Sequence, residues 1–203
     1  MATKTENNTA STKKDISTNA SQTQSEKPAE SQTSDKNMKN SPLHQFFIDA
    51  LKDIYYAESA IADALEKMEA AATTEELKEA FEDHQLQTKK HISRLEKVFK
   101  LIDEKPEKKE CKAIVGIIKE GEEIIKSTEE GSMTRDVGLI IAAQKVEHYE
   151  IATYGGLAQL AITMGHDKAA DLLERTLQEE EDTDLLLTEI AETSININAE
   201  QED

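Results

Sequence analysis

The 203-residue sequence predicts an all-α protein. Four long helices form a bundle of two antiparallel hairpins, joined by one long crossover that contains a short helix. Three observations predict it. Apolar residues recur at spacings of three and four through four separate stretches, the period of one helical face. The breaks near 71–74 and 164–166 are only long enough for turns between antiparallel neighbours. The break at 102–133 is too long for such a turn and suits a crossover. No segment shows the alternation of a β-strand.

Residues 1–40 precede the first helical pattern. They are Ser, Thr, Asn, Gln, Lys and Glu with hardly any large apolar residue, which dilutes the whole chain to 37% hydrophobic and 4% aromatic. Such a tail cannot bury enough surface to offset the entropy of ordering, so disorder is expected. It lacks the apolar segment of a secretory signal and the Arg-rich pattern of a transit peptide. No later stretch is long and apolar enough to span a bilayer. The single Cys111 cannot form an internal disulfide, which suits a reducing cytoplasm. Six Lys and five acidic residues leave the tail at +1, so the body carries −19 of the net −18. A body this acidic repels nucleic acid and anionic membranes, attracts cations and aids solubility.

The folded part is expected over residues 41–194. Ser41 and Pro42 mark a helix start, with Pro at the first helical position. This first helix runs to about Glu69, with a stripe of Leu51, Ile54, Tyr55, Glu58, Ile61, Leu65 and Met68. Thr73 and Glu76 fit a capping box for the second helix, which runs to about Leu101. Its seam is Leu77, Phe81, His84, Thr88, His91, Leu95 and Val98, with Gln87 at the edge. The crossover holds Pro106, Cys111 (read as a buried small hydrophobe) and a shorter helical pattern ending before 127–133. The third long helix, from about Thr134 to Met164, carries Val137, Ile140, Gln144, Glu147, Ile151, Tyr154 and Ala158 and stops at Gly165. Asp167 is the expected cap of the fourth, whose seam is Ala169, Leu173, Thr176, Glu180, Thr183, Leu187 and Ile190. Residues 195–203 are polar and expected to fray. The result is a bundle of ferritin-like connectivity.

Every seam is interrupted near its middle by carboxylate or imidazole. A carboxylate on a core-facing stripe is costly to bury unless it is paired, hydrogen-bonded or bound to a metal. In an antiparallel hairpin, residues equally far from the turn share a height. Glu58 therefore faces the level of Gln87, with His84 and His91 three and four residues away, about 5–6 Å along the axis. In the second hairpin Glu150 faces Glu180, and Glu147 faces Thr183 and Asp184. The offset between the two hairpins is left open by the crossover. Carboxylates from facing helices with added nitrogen or amide donors suit a two-metal site, and a His-poor set favours iron or manganese. The candidate ligands are Glu58, Gln87, His91, Glu147, Glu150 and Glu180. His84 reads as a hydrogen-bonded core histidine, with ligation as the alternative. His44, His148 and His166 read as structural or surface residues. Tyr55 and Tyr154 read as packing residues, with a hydrogen bond to a ligand carboxylate as the alternative. Glu179, Glu181 and Asp182 read as a charge run, solvated apart from any contact with the site. The set departs from the usual Glu-x-x-His signature, because Thr183 stands where the second His would fall.

The runs DIYYAESAI (53–61), FEDHQLQTKKHISRLEKVF (81–99), AAQKVEHYEIATYGGL (142–157) and QEEEDTDLLLTEIA (178–191) resemble the YciE/YciF family of ferritin-like bacterial stress proteins. The resemblance covers about residues 43–192. It implies a bundle related to rubrerythrin-type di-metal proteins, homodimers and expression under stress. The leading expectation is a cytoplasmic protein with two iron or manganese ions that reacts with peroxide or oxygen, or handles iron. In it Glu58 and Glu180 are terminal ligands, Glu147 and Glu150 bridge or cap, and Gln87 and His91 complete the shell. The alternative is a non-catalytic bundle that assembles or binds partners under stress.

Overall fold

A computed structural model describes residues 41–202. The expectation of a disordered tail at 1–40 lies outside these residues. The long helices are α1 (Pro42–Ala71), α2 (Glu75–Leu101), α4 (Met133–Thr163) and α5 (Asp167–Ile190), with α3 (Lys112–Ser127) in the crossover. Helices α1 and α2 form one antiparallel hairpin and α4 and α5 the other; α1 packs beside α4 and α2 beside α5. Helix α3 lies over the groove between α1 and α4. The predicted architecture is what is found. None of the described helices is long and apolar enough to cross a membrane.

The expected cap of α1 is present, since the Ser41 side chain accepts from His44 N–H at 3.1 Å. The other two expected caps differ. Thr74, not Thr73, is the cap of α2, and its side chain satisfies nothing within that helix. The work falls to Asp136, a fully buried carboxylate from α4. It accepts from the N–H groups of Thr73 and Thr74 at 2.7 and 2.9 Å and from the Thr74 hydroxyl at 2.8 Å. A carboxylate offers two acceptors and its charge complements the positive end of a helix dipole, so it displaces a hydroxyl cap. This contact also locks the second hairpin against the turn of the first. At the opposite end, Gly165 (φ 74°) ends α4 and His166 rather than Asp167 caps α5. Asp167 sits in the first turn, where its charge is still favourable.

Two details seat the crossover. A Cβ on Gly138 would lie 2.5 Å from Ile124 Cγ2, so only glycine lets α3 approach α4 here. Arg135 donates to the carbonyls of Ile125 and Thr128 at 3.1 and 2.6 Å, capping the end of α3. Beyond α5 the chain continues through a π-helical turn, Ala191–Ile195, into a short helix α6 (Asn196–Glu200). The composition of 195–203 suggested fraying, yet Ile195 is fully buried and Glu202 accepts from Met133 and Thr134 N–H at 2.7 and 3.0 Å. A single apolar residue and one capping carboxylate hold the segment.

Candidate metal centre

The four seams bring their polar interruptions to one height. Glu58, Glu147 and Glu180 are 0% exposed and Glu150 1%, with His91 at 0% and His84 at 4%. The offset left open by the crossover is thereby fixed: both hairpins contribute to a single cluster in the bundle core. It divides into two donor groups. One is His84, Glu147, Glu150 and Glu180; the other is Glu58, His91 and Glu180; within each, one donor atom per residue lies within 4.8 Å of the others. Glu180 belongs to both.

Imidazoles and carboxylates stand at ion-pair distances, in poor alignment for hydrogen bonds. His84 Nδ1 lies 3.3 Å from Glu147 Oε1, and its Nε2 lies 3.8 Å from Glu180 Oε2. His91 Nδ1 lies 2.9 Å from Glu180 Oε1 and 3.6 Å from Glu58 Oε1. Among the described residues, eleven buried side-chain polar atoms lack a hydrogen-bond partner, and ten belong to these six residues; the other is His44 Nε2. Both oxygens of Glu147, Glu150 and Glu180 are among them. Each such atom costs on the order of 1–3 kcal/mol when left unsatisfied, and ten in one place could accommodate a partner of positive charge.

Electrostatics agree. Burial pushes the Glu58 carboxyl up to about 8, with the neighbouring Glu180 adding to the effect and His91 opposing it. Burial also holds Glu147 and Glu150 well above the usual carboxylate range, and the surrounding Glu side chains push the same way. Glu180 differs. Burial raises it, but contacts from His84 and His91 outweigh that and hold it low. His91 is raised, because Glu180 and Glu58 overcome the effect of burial.

A second layer orients the first. His91 Nε2 lies 2.9 Å from Glu179 Oε2, which turns Nδ1 toward Glu58 and Glu180. Glu179 is in turn gripped by both Arg94 terminal nitrogens at 2.8 and 3.0 Å. Burial raises the Glu179 carboxyl, but Arg94 and His91 outweigh it and bring it down to about 2. Arg94 also donates to Thr176 Oγ1 at 2.6 Å. A carboxylate on the far nitrogen of a ligand histidine is the usual outer-shell arrangement of a metal site. On the other side the Tyr154 hydroxyl donates a hydrogen bond to Glu58 Oε1.

Five of the six expected ligands thus converge: Glu58, His91, Glu147, Glu150 and Glu180. Gln87 is half-buried, and none of the described hydrogen bonds joins it to the cluster. His84, three residues earlier on α2, stands among the carboxylates instead of serving as a hydrogen-bonded core histidine. Tyr154 takes the hydrogen-bonding alternative, while Tyr55 donates outward to Glu96 at 2.9 Å. Gln144 turns away to Thr188 and Asp184, and Asp184 is also met by the exposed His148. Glu179 is only 24% exposed and is no solvated charge. Glu179 makes the contact with the site that the reading of the charge run allowed, but sequence reasoning missed Arg94; it lies three residues after His91 on the inner side of α2, which is where a partner for an adjacent carboxylate would be sought.

Set beside known proteins, the chain has close relatives. A family described as "Domain of unknown function (DUF892)" matches residues 42–200. "Protein YciF" of Escherichia coli strain K12 is 44% identical over 165 residues, covering 81% of this chain and 98% of YciF. The crystal structure of the E. coli stress protein YciF matches with a TM-score of 0.73 at 44% identity, over 76% of this chain and 97% of that one. YcfI from Rhodopseudomonas palustris, described as a candidate structural protein, matches with a TM-score of 0.71 at 38% identity, over 73% and 94%. The chain belongs to the DUF892 family, the family of the bacterial stress protein YciF.

Proposed function

We propose that this chain is a stress-associated protein of ferritin-like type that holds two metal ions, iron or manganese, in its core and reacts with peroxide or dioxygen, or handles iron. The observation that carries the reading is the set of ten unpartnered buried donor atoms on six residues. Six carboxylate and imidazole side chains on four helices would be unstable without counter-charge, and oxygen-rich sets with two imidazoles suit iron or manganese. His84, Glu147 and Glu150 would hold one ion, Glu58 and His91 the other. Glu180, a member of both donor groups, would serve both ions. Gln87 stays an outer candidate. The metals would supply the redox chemistry. The protein's own part is to orient: Glu179 holds His91 by Nε2, Tyr154 holds Glu58, and the surrounding aliphatic side chains exclude water.

The test is peroxide consumption by protein loaded with Mn(II) or Fe(II). Turnover that disappears in Glu150→Ala supports the reading, and rates unchanged in that variant refute it. Dimerisation and a cytoplasmic location are carried with the proposal; gel filtration and cell fractionation check them.

A second reading, a non-catalytic bundle used for assembly, is favoured by the description of YcfI as a candidate structural protein. It predicts that metal loading leaves thermal stability unchanged in both the native chain and a Glu58→Gln, Glu150→Gln double variant.

A further inference from the structure

Where helix α3 lies over α1 and α4 the packing leaves a cavity of about 30 Å³. Its walls are aliphatic: Ile61 and Leu65 from α1, Ile118 and Gly121 from α3, Ala143 and Val146 from α4. His84 and Glu147, two members of the donor cluster, also line it. So do Lys67 and Glu122, an ion pair at 3.0 Å between α1 and α3 whose side chains are 61% and 37% exposed. The lining thus includes a solvent-exposed ion pair and two residues of the donor cluster, and its aliphatic side chains offer no hydrogen bond.

Such walls select by polarity. A water or hydrogen peroxide molecule entering them gives up hydrogen bonds that nothing replaces, at a cost of several kcal/mol for a hydroxyl in an apolar medium. An apolar diatomic gives up none. Apolar cavities in proteins stay dry and take up xenon or small hydrocarbons, and the volume here has room for a molecule of diatomic size.

We propose that this cavity is a binding and entry site for dioxygen, delivering it to the His84–Glu147 side of the metal cluster, which makes dioxygen rather than peroxide the oxidant the site is built to receive. The proposal rests on the metal reading above, and the site itself is tested without metal.

The first test is xenon, a probe of similar polarity, by crystal pressurisation or by ¹²⁹Xe NMR on the full metal-free chain. Xenon against Ile118 and Val146 is expected; a cavity that takes no xenon under pressure overturns the proposal and leaves the metal reading intact.

The second test fills the cavity. Gly121 lies in the interior of α3, where replacing glycine raises helix propensity. A Cβ there would sit 3.6 Å from Ala142 Cβ, an ordinary contact, so Gly121→Ala is the control and Gly121→Leu carries bulk into the space. In Fe(II)-loaded protein, Gly121→Leu is expected to slow oxidation of the iron by dioxygen about tenfold, equivalent to about 1.4 kcal/mol on the barrier. Oxidation by added hydrogen peroxide and the bound-iron content are expected to stay within about twofold, a barrier change near 0.4 kcal/mol. Equal slowing with both oxidants, or none with dioxygen, overturns the entry role. Failure to bind iron at all, in the native chain as in the variant, would instead strike the metal reading, and the xenon result would still decide the cavity.

Discussion

Replacing Glu58 by Gln should make the metal-free protein more stable and cut the stability that metal adds. The residue is fully buried and its carboxyl titrates near 8, against 4.5 in an ordinary setting. A carboxyl raised in the folded state binds a proton that the unfolded state releases. Its contribution is therefore neutral below pH 4.5 and becomes a growing penalty as pH rises toward 8. At 1.36 kcal/mol per unit, the penalty reaches about 3 kcal/mol at pH 7 and is under about 1 kcal/mol at pH 5. Glutamine has the same shape, is neutral in both states, and its carbonyl can accept from Tyr154. Glu58→Gln should thus raise the melting temperature of metal-free protein at pH 7 by about 6–12 °C, at roughly 2–4 °C per kcal/mol for a domain of this size. At pH 5 the gain should nearly vanish. Metal at a hundredfold excess over its Kd should stabilise the native chain by about 2.7 kcal/mol and the variant by far less. Differential scanning calorimetry at both pH values, with and without Mn(II), reads all four quantities. A variant that is less stable than the native chain when metal-free at pH 7, or that gains as much from metal, would refute the reasoning.

Other expectations concern the layers around the cluster. Glu179→Ala frees His91 to rotate and should weaken metal binding about 10–100-fold, as outer-shell losses do; competition with a chelating dye measures it. Tyr154→Phe removes the hydrogen bond to Glu58 and should destabilise the metal-free protein by about 1–2 kcal/mol without changing metal stoichiometry, read by urea unfolding and elemental analysis. Asp136→Ala removes three hydrogen bonds at the junction of the two hairpins and should cost about 2–4 kcal/mol, far from the cluster. Its melting temperature should fall while the affinity for metal in the surviving fold stays constant.

Most of the centre was legible in the sequence because helical periodicity is a strict rule. Glu58, His91, Glu147 and Glu180 each fall on an apolar seam where a charge is out of place, Glu150 neighbours that of Glu147, and hairpin symmetry sets their heights. The relative offset of the hairpins was not legible, since it is fixed by tertiary contacts such as that of Asp136 with the turn at Thr73 and Thr74. Gln87 and His84 illustrate the limit of a seam argument. They differ by less than one turn, and which of them faces the carboxylates depends on small rotations of α2 that the sequence pattern does not encode. The charge run at 178–182 hid which of its acids meets the site, because a residue at a seam's edge is oriented by its partner, here Arg94 for Glu179, rather than by its own polarity. The same holds for the caps: a carboxylate distant in sequence replaced the local hydroxyl expected at α2.

The central claim is most directly tested by the metal content of full-length protein purified without chelator and loaded anaerobically with Fe(II) or Mn(II). The account predicts two ions per chain, falling to one or none in Glu180→Ala, the residue common to both donor groups. Native protein that retains no metal under either condition would contradict it.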